Sequence, residues 1–298
     1  MITINTLYGL RSPANCSFRS LHDSQLFGLE LEIENITVEA DTLVHQLQMT
    51  WTTDGSLRNN GLEFLTNPMN IDSIEETLSE FFKRGKFTQE SYSERTSVHV
   101  HANCQELTRE QLHGVLLLYQ LYERLLYAWV GDERDKNIFC VPWNQTNLPN
   151  LVLRNKALDK LRNWQKYTGL NLLPLMKLGT IEFRHMAGTN NLKKIINWCK
   201  LINKLLVYGK TNPIEKLKES IITLNTTSHY AGFSVDVFGD MVDHLVSLPN
   251  YIEMLEEGVL DTKYGILIPK NEKMINETAG FIDELREIRQ REALAEVP

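Results

Sequence analysis

Residues 27–35 read Phe-Gly-Leu-Glu-Leu-Glu-Ile-Glu-Asn, a stretch in which apolar and acidic residues alternate strictly. Successive side chains of a β-strand point to opposite faces of a sheet. The two leucines and the isoleucine therefore face one side, and the carboxylates of Glu30, Glu32 and Glu34 face the other. The stretch predicts a strand with an apolar underside and a row of acidic groups above it, a pattern that alone is typical of a solvated outer face.

The same alternation returns in three further stretches, at residues 61–66, 98–103 and 180–185. Each has apolar side chains on one face and polar side chains on the other. A plainer strand is expected at residues 49–53, before an Asp-Gly turn. Together these strands predict an α+β fold, with a mainly antiparallel sheet, a polar concave face and helices on the other face. The polar positions are Glu30 and Glu32, then Glu63, then His99 and His101, then Glu182 and Arg184.

Helical patterns lie between the strands. Asp72-x-x-Glu75 and Thr108-x-x-Gln111 are capping signatures that predict two helix starts. Asn190 or Asn191 is expected to cap a third helix, which Gly209 would end. A further helix is expected over residues 154–167, after a long irregular segment, residues 132–150, whose length suggests a functional loop.

The chain changes character near residue 211. Helical patterns dominate from there through an amphipathic stretch at residues 276–294, apart from a candidate strand at 266–269. We therefore expect a catalytic domain in residues 1–210 and a helical C-terminal portion, residues 211–298, that packs on it.

Composition narrows the class of protein. The net charge of −7 over 298 residues argues against a protein that coats nucleic acid. Four widely spaced cysteines fit a reducing compartment better than a disulfide framework. The most apolar stretch, residues 115–130, contains Glu123 and Arg124 and predicts a buried helix. Residues 1–23 lack a secretory signal pattern. We expect a cytoplasmic protein without membrane contact.

Carboxylates gathered on one face destabilise one another unless cations neutralise them. Mg²⁺ prefers oxygen ligands and binds a few carboxylates together with substrate phosphates. His99-x-His101 also suits zinc, which leaves a metal-dependent hydrolase as an alternative. Arginine binds phosphate through its planar, charged fork. Arg184, and in the long loop Arg134, are therefore candidates to neutralise a transferring phosphoryl group. No standard nucleotide-binding loop is present: Gly209-Lys210-Thr211 resembles the end of a Walker A motif, but Lys204 stands where that motif needs its first glycine.

Four ordered motifs resemble those of the amidoligases, carboxylate–amine ligases with a fold related to glutamine synthetase and γ-glutamylcysteine synthetase. The resemblance spans about residues 27–209, and Tyr167, Asn171 and the Gly188-Thr189 pair also match. The motifs are Gly28-Leu29-Glu30-Leu31-Glu32, Thr53-Asp54-Gly55-Ser56 with Gly61-Leu62-Glu63-Phe64, Val98-His99-Val100-His101, and Gly179-Thr180-Ile181-Glu182-Phe183-Arg184.

The resemblance implies ATP- and Mg²⁺-dependent formation of an amide bond through an acyl phosphate. It implies Mg²⁺ ligands at Glu30, Glu32, Glu63 and Glu182. It implies metal or phosphate contacts at His99 and His101, and phosphoryl neutralisation by Arg184 and Arg134. Asp54 would orient the amine, and Ser56 would help to shape the substrate end.

The substrates implied are small-molecule or peptide carboxylates and amines, and a nucleic-acid substrate stays open. Relatives of this fold often assemble, which allows a homo-oligomer. Two alternatives to the ligase remain at this point. One is the metal-dependent hydrolase, and the other is a non-catalytic binding module that kept the fold for a partner.

Overall fold

The structure, a computed structural model, describes residues 2–10, 25–131 and 133–267. Six strands in these residues form one sheet in the order β2-β3-β1-β4-β6-β5. The strands are β1 Phe27–Ile33, β2 Met49–Thr52, β3 Leu62–Thr66, β4 Ser97–Asn103, β5 Leu170–Asn171 and β6 Thr180–Ala187. The helices are α1 Ile4–Tyr8, α2 Ala40–Val44, α3 Ile71–Gly85, α4 Arg109–Val130, α5 Leu148–Leu153, α6 Leu192–Thr211, α7 Ile214–Thr223, α8 Thr227–Phe238, α9 Asp243–Val246 and α10 Tyr251–Leu267.

Every pair of neighbouring strands in this sheet is antiparallel, so the predicted α+β class and antiparallel sheet are confirmed. The five strands expected from the sequence all form, with ends that differ by one or two residues. The short edge strand β5 was not predicted, because two residues are too few to show an alternating pattern.

The apolar underside of the sheet packs on helices α3, α4 and α6. Phe64 of β3 meets Phe81 of α3, with ring centroids 4.9 Å apart. Phe183 of β6 makes edge contacts with Tyr119 of α4 and Trp198 of α6. All five rings are fully buried. Burial of such large apolar side chains is the main driving force that holds the helices to the sheet.

Strands β4 and β6 pair out of step at one point. Val100 pairs with Phe183 and Val98 pairs with Met186, so β6 carries one more residue than β4 between these two pairs. Such an extra residue is a β-bulge, which bends the strand and re-aims a side chain. Arg184, one of the predicted site residues, lies in the bulge.

Two of the predicted helix ends are wrong. The cap of α3 is Asn70, whose side chain accepts from the backbone N–H of Ser73, and Asp72 lies within the first turn. Gly209 does not end α6, which continues to Thr211. A Cβ on Gly209 would lie 2.7 Å from the Cα of Val115, so this glycine allows α6 and α4 to cross closely. The predicted caps Thr108 and Asn191 are confirmed.

The helix predicted over residues 154–167 is wrong for most of its length. Asn155 has a φ of 53°, and only Leu158–Asn163 is helical, as a 3₁₀ turn. Leu158 and Leu161 are three residues apart and both pack against the core, which suits the three residues per turn of a 3₁₀ helix. The strand predicted at 266–269 is also wrong at its start, because residues 266 and 267 end α10; the remainder and residues 276–294 lie outside the described residues.

Helices α7, α8 and α10 pack against α4. A Cβ on Gly258 would lie 2.0 Å from the backbone oxygen of Leu121, so the backbones of α10 and α4 are in direct contact. Arg124 of α4 forms ion pairs with Glu257 and Asp261 of α10, at 2.7 and 3.1 Å. Among the described helices, none combines the length and the apolar character needed to cross a bilayer.

Candidate active site

Strand pairing brings the predicted site residues into register. Glu30 is the Cα partner of His99, and His101 is the Cα partner of Glu182. Directly paired residues of an antiparallel sheet point to the same face. Side chains more than 150 positions apart in the chain therefore lie side by side on β1, β4 and β6. On the other side of β1, Glu63 of β3 is the partner of Glu32 and joins the same face.

Glu30 lies at the centre of this group. Its Oε2 is 3.1 Å from Nδ1 of His99, and its Oε1 is 2.9 Å from Nε2 of His101. The two histidine side chains are at most a tenth exposed, whereas the side chain of Glu30 keeps 22% of its surface exposed. One partly exposed carboxylate thus bridges two buried imidazoles.

Glu182 is the second centre. Its Oε1 pairs with Nη1 of Arg184 and lies 3.5 Å from Nδ1 of His99. Its other oxygen, Oε2, accepts from the side-chain amide of Asn171 at 2.7 Å. Arg184 also donates from Nε to the backbone oxygen of Phe139 at 3.3 Å. Both oxygens of the buried carboxylate are therefore held in fixed directions.

The pKa values of the Glu30 and Glu63 carboxylates are shifted in opposite directions. Burial alone would raise the pKa of Glu30, but its contacts with His101 and His99 outweigh burial and hold this pKa below its usual value. Burial, together with repulsion from Glu30 and Glu32, raises the pKa of Glu63 to about 8. One acid is ionised and its neighbour retains a proton, as expected for carboxylates that share a site.

Burial and neighbouring charges also oppose each other in setting the pKa values of the remaining site groups. Burial opposes the charge on His101, yet its contact with Glu30 prevails and raises its pKa. Burial likewise opposes the charge on Glu182, while His99, His101 and Arg184 lower its pKa overall. For Glu32, burial prevails and raises the pKa despite the attraction of His99 and Arg184. The site thus gathers four carboxylates around two histidines and one arginine.

Two sets of side chains could each hold a metal ion, and Glu30 belongs to both. Glu30, Glu63 and His99 form one set, and Glu30, His101 and Glu182 form the other. The candidate ligand atoms within each set lie within 4.8 Å of one another. Two carboxylates to one imidazole is an oxygen-rich donor set, which suits a hard cation such as Mg²⁺. The residues present therefore fit the expected ion.

Three predicted site residues lie around these sets. Glu32 belongs to neither set among the described residues and accepts from Ser97. Asp54 lies in the turn after β2, where its Oδ1 accepts from the N–H of Ser56 at 2.7 Å, and its charge helps to raise the pKa of Glu63. Arg134 is 4% exposed and contacts the backbone of β6.

Sequence reasoning left three contacts out of the site. Asn171 matches the family pattern, and its side-chain amide donates to Glu182. Thr180 contacts Nδ1 of His101 at 2.9 Å, and the backbone of Phe139 holds Arg184. Asn171 is the Cα partner of Glu182, but nothing local in the sequence marks a two-residue strand. A backbone carbonyl leaves no sequence signal.

No curated protein sequence matches this chain at a significant level. A family model with the description "putative amidoligase enzyme" matches residues 17–206. This match covers more than half of the chain and contains every site residue described above. The resemblance found in the motifs is thereby confirmed, and the chain belongs to the amidoligase family.

Proposed function

We propose that this protein is an ATP- and Mg²⁺-dependent carboxylate–amine ligase that forms an amide bond through an acyl phosphate. The observation that carries the proposal is the pair of ligand sets joined by Glu30, with Arg184 beside them, inside a chain of the amidoligase family. The antiparallel sheet with acidic and histidine side chains on one face also supports a glutamine synthetase-like catalytic domain in residues 1–210.

Glu30, Glu63 and His99 would hold one Mg²⁺, and Glu30, His101 and Glu182 would hold another. Mg²⁺ at these positions supplies charge neutralisation for the ATP phosphates. Glu30 is already ionised, so it is ready to bind a cation. The proton on Glu63 must leave when a cation binds, because a ligating carboxylate is ionised. Glu32, which belongs to neither set, would add negative charge close to them.

Arg184 would stabilise the transferring phosphoryl group. Its guanidinium is held by Glu182 and by the Phe139 carbonyl, so its direction is fixed before a substrate binds. Fixed charge that faces the developing charge of a transition state is a large source of catalysis. Both arginines are buried, but the guanidinium of Arg184 contacts the candidate ligands Glu182 and His99. That of Arg134 contacts Ser97 and the backbone of β6, so we assign this role to Arg184 alone.

The chemistry has two steps. In the first, an oxygen of the substrate carboxylate attacks the γ-phosphorus, and ADP leaves. In the second, the amine attacks the acyl carbon, inorganic phosphate leaves with the attacking oxygen, and the nitrogen loses a proton. Asp54 would orient the amine, since its carboxylate lies near Glu63 at the acidic end of the site. Phosphoryl transfer needs positioning and neutralisation more than covalent participation by the protein.

An isotope experiment tests this mechanism. The protein is incubated with Mg²⁺, ATP, an amine panel and a panel of carboxylic acids labelled with ¹⁸O in the carboxylate. We expect ADP release that requires Mg²⁺, and one labelled oxygen in the inorganic phosphate. Glu76→Gln, on the exposed face of α3, is the matched control and should behave as the wild type. Phosphate without label, or ADP release independent of acid, would contradict the acyl phosphate.

A metal-dependent hydrolase is the second candidate, because each ligand set contains one histidine. Zinc in catalytic sites is often held by histidine and carboxylate together. Metal analysis of the purified protein separates the two candidates. Stoichiometric zinc, with hydrolysis of an amide or phosphoester and no nucleotide binding, would favour the hydrolase.

A further inference from the structure

The bulge in β6 places two residues opposite one. Arg184 and His185 of β6 both oppose His99 of β4. Beyond the bulge the alternation shifts by one position, so His185 and Met186 are both fully buried. Arg184 remains on the site face, where it contacts Glu182. A bulge interrupts the regular ladder of backbone hydrogen bonds, so its geometry depends on what the local backbone groups contact instead.

The guanidinium of Arg134 contacts the backbone of the bulge. Its Nε donates to the backbone oxygen of His185 at 2.8 Å, and its Nη2 approaches the backbone oxygen of Arg184 at 3.3 Å. Nη2 also donates to Oγ of Ser97 on β4 at 3.1 Å. One buried side chain therefore joins both bulge carbonyls to the neighbouring strand.

These contacts connect Arg134 to two site residues, Glu32 and Arg184. Ser97 hydrogen-bonds Glu32, which lies across the sheet on β1. The loop that carries Arg134 also supplies Phe139, whose backbone oxygen accepts from Nε of Arg184. The same loop thus holds Arg184 twice, through its backbone oxygen and through its side chain.

We propose that Arg134 is a positioning residue. It fixes the β6 bulge and so holds the guanidinium of Arg184 beside the two ligand sets that share Glu30, without itself contacting a substrate. This inference rests on the proposed function only for its kinetic consequence. Its structural basis is that Arg134 is 4% exposed and that its guanidinium hydrogen-bonds Ser97 and the backbone oxygens of the two bulge residues. Among the described residues, no carboxylate lies within ion-pair distance of it.

The geometry requires arginine. A guanidinium presents several N–H groups in a rigid planar fork, and here it joins two carbonyls and a hydroxyl at once. A lysine at this position keeps the positive charge but offers one ammonium on a flexible stem. Arg134→Lys therefore tests the loss of the planar fork while the positive charge is kept. Arg134→Gln removes both.

The first experiment reads the position of Arg184 without any activity. Nitrogen-15 NMR of arginine Nε–H groups is recorded for wild type, Arg134→Lys and Arg134→Gln, with Arg184→Lys used to assign the Arg184 signal. We expect both Arg134 variants to move or broaden the Arg184 signal. Arg109→Gln is the matched control, because Arg109 also donates to a backbone oxygen, that of Asn155, in another part of the protein. This control should leave the Arg184 signal unchanged.

The second experiment uses ATP turnover. A misplacement of about 1 Å at a reacting group costs about 100-fold in rate. We expect Arg134→Lys to lower kcat about 100-fold and to change KM for ATP by less than about threefold, since the metal ligands remain in place. Arg109→Gln should change neither constant.

The outcomes separate the two proposals. An unchanged Arg184 signal in Arg134→Lys would overturn the positioning role, whatever the activity. If Arg134→Gln does not fold, Arg134→Lys alone decides this result. The wild type gives a further reading that needs no variant: a Mg²⁺–nucleotide complex should shift the Arg184 signal and leave that of Arg134 in place. A shift of Arg134 alone would overturn the inference. Absence of nucleotide binding would overturn the proposed function and leave the first experiment valid.

Discussion

Glu32 on β1 and Glu63 on β3 are direct partners on neighbouring strands, so two carboxylates lie side by side on one face of the sheet, where they repel each other. The protein accommodates them by keeping a proton on one. Burial and the charges of Glu30 and Glu32 raise the pKa of Glu63 to about 8. Cations at the proposed Mg²⁺ positions would relieve this repulsion.

Glu63→Gln should weaken Mg²⁺-dependent nucleotide binding and leave the fold intact. Glutamine has the shape of the protonated acid and does not ionise in the unfolded state, so we expect the free energy of unfolding at pH 7 to be no lower than that of the wild type. Nucleotide affinity in Mg²⁺ should fall at least about tenfold, since even changes around metal ligands have this effect. Calorimetric titration and urea unfolding measure the two quantities. Unfolding of the variant at ordinary temperature would show that Glu63 has a structural role.

Arg184→Lys should reduce turnover more than binding. The substitution keeps a positive charge but loses the fork that contacts Glu182 and the Phe139 carbonyl. Removal of one donor aimed at a transition state costs about 100-fold in kcat or more. We expect a loss of this size with a KM for ATP close to that of the wild type. Equal losses in the matched variant Arg109→Gln would mean that the effect does not belong to this site.

Asn171→Asp should make the protein depend on Mg²⁺ for stability. The amide of Asn171 donates to Glu182, and an aspartate there would place a second negative charge beside it. We expect the free energy of unfolding without Mg²⁺ to fall by about 2 kcal/mol, the typical cost of a lost buried hydrogen bond to a charged group. Added Mg²⁺ should restore part of this loss. Asn190→Asp, at an exposed position, should show neither effect.

Glu123 gives a prediction about pH that does not involve the site. This buried side chain of α4 accepts from the backbone N–H groups of Trp143 and Asn144 and from the hydroxyl of Tyr119. Burial nevertheless raises its pKa from 4.5 to about 7. Between these two values the folded state binds more protons than the unfolded state, so stability falls as the pH rises. The contribution is complete below pH 4.5 and is lost above pH 7.

Glu123→Gln should remove this dependence. We expect the difference in unfolding free energy between the variant and the wild type to change by about 3 kcal/mol in favour of the variant from pH 4.5 to pH 8. Comparing the two proteins at each pH cancels the other titrating groups, including Glu63. Urea unfolding at both pH values measures the difference. A difference that stays constant would contradict the raised pKa.

The alternating strands show what the sequence can predict. In β1, β4 and β6 the apolar residues are buried under the sheet and the acidic and histidine residues meet on the other face. Period-two alternation is local information, and antiparallel pairing then places partners together. The convergence of Glu30, His99 and Glu182 could therefore be predicted from the sequence.

What the sequence did not predict depends on contacts between distant segments. The bulge at Arg184 and His185 arises from the pairing of β6 with β4, and its clamp comes from Arg134, about 50 positions earlier in the chain. Gly209 has the form of a helix stop, yet it serves a close helix crossing with Val115. In both cases the outcome depends on packing between distant segments, which a local sequence pattern does not encode.

Glu30 carries the central claim, because its carboxylate belongs to both ligand sets. The most direct test is calorimetric titration of a non-hydrolysable ATP analogue into wild type, Glu30→Gln and the matched variant Glu76→Gln, with and without Mg²⁺. We predict binding to wild type and Glu76→Gln that requires Mg²⁺, and affinity at least about tenfold weaker in Glu30→Gln. Binding that is the same without Mg²⁺, or that is unaffected by Glu30→Gln, would contradict the account.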